Sequence, residues 1–419
     1  MCACFLHLNQ RPTIGVAQMA RNPLKDSIAV IGVGSSAYGR DLQRSELSLG
    51  LEAAVRAIKD AGIDRQEIDG LCGSGMTPLA MGGAGFLSLQ GALGIERTTW
   101  VKNGWLGSAF VYAAEAVFSG LCDTVLVVQT YIRNVNMSRS AASDPFRQRA
   151  AQFSDVGGDV GAGDFARRWL HSGEPYAGWI SRYMKDYSTN KDAFGLMAVN
   201  NRSHGTRNPS AVMQLPITLD EYYNSRMIWA PMQLLDMDVP VDCGEAIILT
   251  TAQRARQLNV KPVYIHAMSL GGTRIGEFYE NTLDWTENAF WVALKGLWDR
   301  SDLKVADIDI FYPYDGYSID AVAITEAAGF CGPGEAGDFF KDSWDSRQQI
   351  LRLNGHTLVT THGGGLAMGR AGGANFYAEA VRQLRGNEGH RQVPGAHTAL
   401  IGIGSFFHDP AAVVLRSDD

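Results

Sequence analysis

The sequence predicts an α/β protein built from two similar halves. Of its 419 residues, 46% are hydrophobic and 19% are charged, which is the composition of a globular protein. This length exceeds the usual size of one hydrophobic core, so two halves or two domains are expected. Short apolar runs alternate with helix-like segments on both sides of an irregular central stretch, and the second side repeats features of the first.

The first half is predicted to begin after a loose N-terminal extension, residues 1–26. The run Ser27–Gly34 is short, rich in β-branched residues and closed by glycine, which predicts a buried strand. Apolar residues recur at helical spacing over Glu46–Asp60, with Ser45 as the N-cap. Alternating strands and helices predict a parallel sheet covered by helices. The further elements expected are strands at Ile68–Gly73, Thr98–Lys102 and Asp123–Gln129, and a helix at Ser108–Ser119.

An inserted subdomain is predicted over residues 131–229. This segment is richer in Arg, Asp, Asn and aromatic residues, and it holds only helix-like pieces, such as Gly178–Tyr187 and Lys191–Ser203. The first half then comprises residues 27–130 and 230–260, and the second half comprises residues 261–419.

Two pairs of segments indicate that the halves are duplicated. Ala53–Asp69 and Val292–Asp309 are both amphipathic helices followed by an acidic turn and an Ile-Asp strand start. Tyr112–Val117 and Tyr377–Val381 are both helices followed by an apolar strand. Alanine-rich helices often look alike by chance, but the shared order and strand context favour duplication.

Composition argues against several classes of function. The net charge is −7, without the basic stripe that nucleic-acid binding requires. No apolar run reaches the roughly 20 residues of a membrane helix, and residues 1–25 lack the order of a signal peptide. The six cysteines form neither a disulfide framework nor a zinc pattern, so a cytoplasmic protein without a metal site is expected. Cys243 and Cys331 are expected to be buried small hydrophobes.

Several segments in the second half occur in the order found in one known family. They are Tyr314–Tyr317 (YDGY), Gly329–Glu335 (GFCGPGE), Thr361–Gly364 (THGG), Gly369–Ala371 (GRA) and Glu379–Gly386 (EAVRQLRG). The sequence over roughly residues 27–416 resembles sterol-carrier-protein-type thiolases. The resemblance implies the thiolase fold, in which two duplicated α/β halves form five layers (αβαβα), with a large insertion in the first half. Two preceding blocks also match, Ser225–Leu235 and Asp242–Leu249.

The side chains of thiolase chemistry are missing from this pattern. By resemblance, the nucleophilic cysteine position falls on Gly104, or on Trp105 if the register slips by one, and neither can be acylated. Ser108 is interpreted as a packing residue. Arg370 matches the histidine of the Gly-His-Pro turn, and the second cysteine, expected near Leu400–Gly404, is absent. The absence of all three thiolase side chains predicts either a reaction other than that of a thiolase or no reaction at all.

Thiolase-like proteins that lack the nucleophile include lipid-transfer-protein-type aldolases of steroid side-chain degradation. By that resemblance, we expect retro-aldol cleavage of a bulky, steroid-like β-hydroxyacyl-CoA without a covalent intermediate. Coenzyme A would enter as part of the substrate, with no other cofactor. A homodimer is expected, together with a small partner that carries an OB-fold and a zinc ribbon. Two alternatives remain open: a non-catalytic subunit that scaffolds a partner, and an acyltransferase with an unusual nucleophile.

The candidate catalytic residues are Tyr314, Asp315, Tyr317 and His362. In such aldolases tyrosines transfer protons; Tyr314 matches one of them, whereas the second falls on Arg370, which cannot be a base at neutral pH. Tyr317, Asp315 and Tyr312 are local substitutes, although Asp315 could instead cap the following helix and the aromatic FYPY cluster could be core. His362 is either a base with a pKa near neutrality or a backbone donor in a tight turn.

The candidate substrate-binding residues lie mostly in glycine-rich loops. The chain has 47 glycines among 419 residues, above the usual ~7%, which favours tight turns and backbone-lined sites. Gly363, Gly364 and the neighbouring Gly365 are expected to allow a tight turn and to offer N–H donors. Arg370 would hold a thioester carbonyl or a CoA phosphate. The other candidates are Gly104, Trp105 and His408, the last with a loop histidine as the alternative.

Overall fold

The structure is a computed structural model that describes residues 22–74, 84–104, 107–132, 174–273, 284–404 and 410–418. Its strands are β1 (Ile28–Ser35), β2 (Gly70–Ser74), β3 (Trp100–Asn103), β4 (Thr124–Tyr131), β5 (Met227–Trp229), β6 (Met232–Gln233), β7 (Cys243–Thr251), β8 (Val263–Leu270), β9 (Ile310–Pro313), β10 (Trp344–Asp345), β11 (Ile350–Leu353), β12 (Thr357–Val359), β13 (Thr398–Ile403) and β14 (Ala411–Ser417). Its α-helices are α1 (Glu46–Ala61), α2 (Ala84–Leu93), α3 (Ser108–Phe118), α4 (Glu174–Asp186), α5 (Asp192–Gly205), α6 (Leu219–Tyr223), α7 (Ala252–Ala255), α8 (Ala289–Trp298), α9 (Ser318–Ala328), α10 (Ala336–Asp342), α11 (Gly364–Ala367) and α12 (Ala374–Arg385).

The two halves build sheets of the same topology. The first sheet has the strand order β3-β2-β4-β7-β1, and the second has the matching order β12-β9-β13-β14-β8. The sheets join where β1 and β8 pair antiparallel over two residues each, Ala29 with Tyr264 and Val30 with Val263. This repeated order confirms the predicted duplication.

The prediction of a parallel sheet is wrong for one strand of each half, β7 in the first and β14 in the second. β2 pairs parallel with β3 and β4, and β9 pairs parallel with β12 and β13. However, β7 pairs antiparallel with β1 and β4, and β14 pairs antiparallel with β8 and β13. The reversal arises because β7 follows the inserted segment and β14 follows a short return from β13, so neither is reached by a helical crossover.

An aspartate at the start of the second strand ties each sheet together in the same way. The carboxylate of Asp69 accepts hydrogen bonds of 2.9–3.0 Å from two backbone N–H groups at the start of β4. The carboxylate of Asp309 accepts bonds of 2.8–2.9 Å from two backbone N–H groups at the start of β13. The predicted Ile-Asp strand starts are therefore equivalent in structure as well as in sequence.

Helices lie outside both sheets and between them. On β1, Ala29 and Ile31 pack with α1 in an outer core, whereas Ile28 and Val30 belong to the large inner core. That alternation is expected of a strand covered on both faces. Between the sheets lie α3 and α12, whose aromatic residues Phe110 and Tyr377 stack at 4.1 Å between ring centroids. The outer face of the second sheet is covered by α8 and α9. This is the five-layer thiolase arrangement.

The described part of the inserted segment rests on the second half. Helix α5 packs against α9, α10, α11 and β11, and α4 also contacts α9. All residues of α9 are buried as a result. The carboxylate of Glu326 on α9 accepts hydrogen bonds from the Tyr183 hydroxyl at 2.5 Å and from the Trp285 indole N–H at 2.6 Å. The insertion therefore completes the core of the other half.

Within the described ranges, none of the helices combines the length and apolar character that a membrane crossing needs. Those ranges also contain no cluster of three His, Cys, Asp or Glu side chains suited to a metal ion. Cys243 is buried, whereas Cys331 is only partly buried; burial raises the pKa of the Cys331 thiol.

A buried pair of carboxyl groups shares one arginine beside α12. Arg391 donates to Glu379 at 2.9 and 3.1 Å and also contacts Glu388. Burial raises the pKa of Glu379, but the Arg391 charge outweighs it and brings that pKa to about 2. Burial and the Glu379 charge raise the pKa of Glu388 to about 7. Glu388 is therefore the member of the pair that titrates near neutral pH.

Glu388→Gln is expected to change how stability depends on pH. The folded-state pKa lies above the usual 4.5, so protonated Glu388 contributes stability below pH 4.5 that is lost as the pH rises through 7. The loss is on the order of 3 kcal/mol for this group. The variant should therefore match the wild type at pH 5 and exceed it at pH 8 in denaturant unfolding. Equal stability of both proteins at pH 8 would contradict this assignment.

Candidate active site

Tyr314 lies where β9 gives way to α9, at the carboxyl end of a central strand. Its backbone N–H donates to the carbonyl of Gly402 at 2.8 Å, which ties it to the neighbouring strand β13. Only 3% of the residue is exposed, and its ring lies 5.8 Å from that of Phe376 on α12. In α/β folds, ligands bind at the carboxyl ends of the strands. Tyr314 thus has the location of a site residue and a rigid backbone.

Arg370 places a positive charge beside this phenol. Its guanidinium Nη1 lies 3.1 Å from a carboxylate oxygen of Asp238, and its side chain is 16% exposed. Burial lowers the pKa of Arg370. Electrostatic interactions with four neighbours outweigh burial and raise this pKa overall; the neighbours are Tyr314, Asp238, Tyr131 and Tyr176. The arginine is therefore cationic, and it is surrounded by phenols.

Two of these phenols were not predicted as site residues. Tyr131 ends β4, and its hydroxyl reaches the turn at Gly372, where an added Cβ would lie 2.1 Å from it. Tyr176 belongs to α4 in the inserted segment and stacks on Tyr317 with ring centroids 3.8 Å apart. Tyr317 is half-buried, and its backbone N–H donates to buried Asp320 at 3.1 Å. The inserted segment thereby contributes an aromatic wall beside Arg370.

Asp315 holds a loop in place through both of its oxygens. Oδ1 accepts from the Gly365 N–H at 2.7 Å, and Oδ2 accepts from the Leu366 N–H at 2.9 Å and the Asn201 amide at 2.6 Å. Burial raises the pKa of Asp315 to about 6, although these hydrogen bonds lower it. Asp315 is thus a helix cap, but it caps α11, not the helix that follows it.

The glycine-rich turn that Asp315 binds is closely packed. Gly364 has φ of +59°, and an added Cβ there would lie 2.3 Å from Asp315 Oδ2. The Gly363 N–H donates to the carbonyl of Thr360 at 2.9 Å. The predicted tight turn is present, and the N–H groups of Gly363 and Gly365 already have partners within the protein.

His362 does not have the properties of a base that works near neutral pH. It is buried, its ring lies 4.7 Å from Phe376 in an edge-to-face contact, and Nε2 is 3.3 Å from the Asn375 amide. Burial lowers the pKa of His362 to about 4, so the expectation of a pKa near neutrality is wrong. Within the described ranges its Nδ1 has no hydrogen-bond partner, so the alternative of a ring donor to backbone is not found either.

Tyr312 points into the core of the second half. It is fully buried, and its hydroxyl bonds with Thr361 Oγ1 at 2.9 Å. Burial raises the pKa of Tyr312 well above its usual value. Of the FYPY cluster, Tyr312 therefore fits the core interpretation.

Known proteins of one family are similar to this chain over most of its length. Residues 277–417 match the family model "Thiolase C-terminal domain-like". The chain is 30% identical over 397 residues to the 17-hydroxy-3-oxo-4-pregnene-20-carboxyl-CoA lyase of Mycobacterium tuberculosis, covering 91% of this chain and 97% of the relative. It is also 30% identical over 414 residues to the steroid side-chain-cleaving aldolase of Thermomonospora curvata, covering 94% and 99%. The chain belongs to the thiolase-like aldolases.

A solved structure supports the same family. The structure titled "Ltp2-ChsH2(DUF35) aldolase" superposes with a TM-score of 0.80 at 27% identity, covering 94% of this chain and 99% of the other. The prediction of a thiolase-like carbon–carbon lyase is thereby confirmed.

In this thiolase-like aldolase, the position assigned to the thiolase nucleophile has no room for a side chain. Gly104 precedes α3 and donates its N–H to the carbonyl of Gly73 at 3.0 Å. An added Cβ would lie 2.6 Å from the Cα of Ala109. Trp105 and His408, the remaining predicted substrate-binding residues, lie outside the described residues.

Proposed function

We propose that the protein cleaves a bulky, steroid-like β-hydroxyacyl-CoA by a retro-aldol reaction, with Tyr314 as the base. The observation that carries the assignment is the pairing of Tyr314 with the cationic Arg370 at the carboxyl end of β9. A phenol alone is a poor base at neutral pH. In general, a guanidinium cation beside a phenol makes the phenolate more favourable than it is at a buried phenol without such a neighbour.

In the first step, the Tyr314 phenolate accepts the proton of the substrate β-hydroxyl. The Cα–Cβ bond then breaks, a carbonyl forms at Cβ, and the bond's electron pair moves into the thioester as an enolate. Arg370 interacts electrostatically with Tyr314, and we assign to it the stabilisation of the enolate oxygen. Cleavage of this kind needs no acyl-enzyme, which agrees with the lack of room at Gly104.

In the second step, the enolate carbon takes up a proton and the shortened acyl-CoA leaves. We assign this proton to the Tyr131 hydroxyl, which approaches Arg370 from the opposite half of the molecule. Tyr131 then fills the role of the second tyrosine, whose usual position is occupied by Arg370. At this point Tyr314 is protonated and Tyr131 is a phenolate. One proton must then pass from Tyr314 to Tyr131, directly or through solvent, to restore the starting forms before the next turnover.

The acyl group and coenzyme A are proposed from the relatives and from the site walls. Both 30%-identical relatives carry steroid names, and one is named for a CoA thioester. The stacked rings of Tyr176 and Tyr317 offer a flat apolar surface beside Arg370. Coenzyme A enters as part of the substrate, and no further cofactor is proposed.

A partner and a homodimer are also proposed. The name of the structural relative joins two components, Ltp2 and ChsH2(DUF35), which supports a partner protein here. The partner that we propose is a small protein with an OB-fold and a zinc ribbon. β3 ends the twelve-stranded sheet and exposes Val101. Among the described residues no strand pairs with the outer edge of β3. A free edge strand readily pairs with another strand, so a second copy of this chain is the proposed occupant. A cytoplasmic location remains the expectation.

The reaction is tested by product analysis. The purified protein, with and without its partner, is incubated with a β-hydroxy steroid CoA thioester, and the ketone and the shortened acyl-CoA are quantified by mass spectrometry. Equal amounts of both products support the lyase. No product under either condition favours a non-catalytic subunit, and a mass increase of the intact protein by an acyl group favours an acyltransferase.

Tyr131→Phe is expected to lower kcat at least about tenfold, because it removes the proposed proton donor to Cα. In D2O, the variant should also delay deuterium uptake at Cα of the shortened acyl-CoA. Tyr176→Phe is the matched control, since its phenol also lies near Arg370 but its ring stacks as a wall. It should mainly raise KM. A loss of kcat in Tyr176→Phe with normal Tyr131→Phe would transfer the role to Tyr176.

A further inference from the structure

A cavity lies at the opposite end of β9 from Tyr314. Its volume is about 480 Å³, and Asp309, which immediately precedes β9, contributes to its wall. Tyr314 is five residue steps along the chain from Asp309, which corresponds to about 16 Å of extended chain. The basic side chains and histidines that line it are His204, Arg207, Arg352, His356, His390 and Arg391.

The cationic groups of this cavity are only partly neutralised. Arg391 forms ion pairs with Glu379 and Glu388. Arg207 donates from Nη2 to the carbonyl of Gln348 at 3.2 Å, a neutral partner that leaves its charge in place. Arg352 makes no ion pair in the described part of the chain. Two guanidinium groups are therefore available to an anion.

Asp309 is the acidic residue among the described lining residues, so it offsets the charge of Arg207 and Arg352 only in part. The Asp309 carboxylate accepts from the N–H groups of His397 and Thr398 at 2.8 and 2.9 Å, so it is committed to the sheet. His204 is 5% exposed, and burial lowers its pKa to about 3, so its ring is neutral. Over the described residues, His204 Nε2 has no hydrogen-bond partner, which leaves a buried polar atom in the cavity wall.

We propose that this cavity binds a phosphorylated small molecule through Arg207 and Arg352. The planar guanidinium fork matches phosphate oxygens two at a time, which makes arginine a preferred phosphate ligand. The volume of about 480 Å³ lies within the range of small-molecule pockets and holds a group of nucleotide size. The phosphate can belong to free inorganic phosphate, to a nucleotide, or to the ADP portion of a second CoA molecule.

The test is isothermal titration of the full-length protein with inorganic phosphate, pyrophosphate, ADP and CoA as separate probes. Saturable binding with a dissociation constant of about 1 mM or tighter is expected for at least one probe, and the tightest probe identifies the source. Arg207→Gln and Arg352→Gln should each weaken it about tenfold or more. Arg347→Gln is the matched control, because Arg347 is exposed nearby and does not line the cavity.

Two results would overturn the site: no saturable binding of any probe, or unchanged affinity in the folded Arg352→Gln variant. Arg352 makes no ion pair with described residues, so its replacement tests the ligand contact without removing a structural one. The titrations with all four probes are repeated in the Tyr314→Phe variant. Its dissociation constants should equal those of the wild type. Failure of the retro-aldol proposal would therefore leave this result intact, and the reverse also holds.

Discussion

Tyr314→Phe is expected to lower kcat for retro-aldol cleavage by about 10²- to 10⁴-fold, the usual contribution of a positioned acid–base group. The substitution removes only the hydroxyl that would accept the substrate proton. The ring keeps its contact with Phe376, and the backbone bond to Gly402 is unaffected. The fold and the affinity for the CoA thioester should therefore be preserved. Single-turnover kinetics with the β-hydroxy substrate measure the effect directly.

Tyr377→Phe is the control for this experiment. Tyr377 is equally buried and stacks on Phe110 in the central layer, and within the described ranges its hydroxyl has no hydrogen-bond partner. Its loss should leave both stability and kcat near wild-type values. If Tyr314→Phe keeps its activity within about threefold of that control, Tyr314 is not the base.

Asp315→Ala is expected to destabilise the protein by on the order of 3 kcal/mol or more. The substitution leaves the buried N–H groups of Gly365 and Leu366 and the Asn201 amide without their acceptor, and each such group costs about 1–3 kcal/mol. The loop that carries Arg370 follows directly, so kcat should fall as well. Denaturant unfolding at pH 7.5 measures the change in free energy of unfolding.

Asp315→Asn tests the two carboxylate oxygens separately, because it keeps one acceptor oxygen and replaces the other. This variant should lose about half as much stability as Asp315→Ala. Asp338→Asn serves as the control because that side chain is 94% exposed; it should change stability by no more than about 0.5 kcal/mol. Wild-type stability in Asp315→Ala would show that the residue does not hold this loop.

Much of the fold could be predicted because its signals are local. The predicted strand Ser27–Gly34 is found one residue later, and the predicted helix Glu46–Asp60 ends one residue further on. Strand direction could not be predicted at β7 and β14, because it depends on where the chain returns after an insertion or a loop. The residues of β7 and β14 contain no signal for the direction in which the chain returns to the sheet.

The site was predictable only in part, for a similar reason. Tyr314 and Arg370 stand in recognisable family blocks. Tyr131 and Tyr176 come from the first half and the insertion, and only the packing of both halves brings them to Arg370. A partial signal exists for Tyr131: a strand is predicted at Asp123–Gln129, but the strand in the structure continues to Tyr131, a residue predicted to belong to the insertion. Asp315 was expected to cap locally, but its partners lie about 50 residues further along the chain.

The central layer has a consequence for how the chain can be made. Helix α3 is finished early in synthesis, but the aromatic partner of its Phe110 is residue 377, near the end of the chain. A nascent first half therefore presents an uncovered apolar face to the cell for most of translation. Each half supplies the interior of the other, so neither should survive alone as a soluble fragment. Co-expression of the two halves as separate polypeptides should rescue both, whereas either one alone should require chaperones or aggregate.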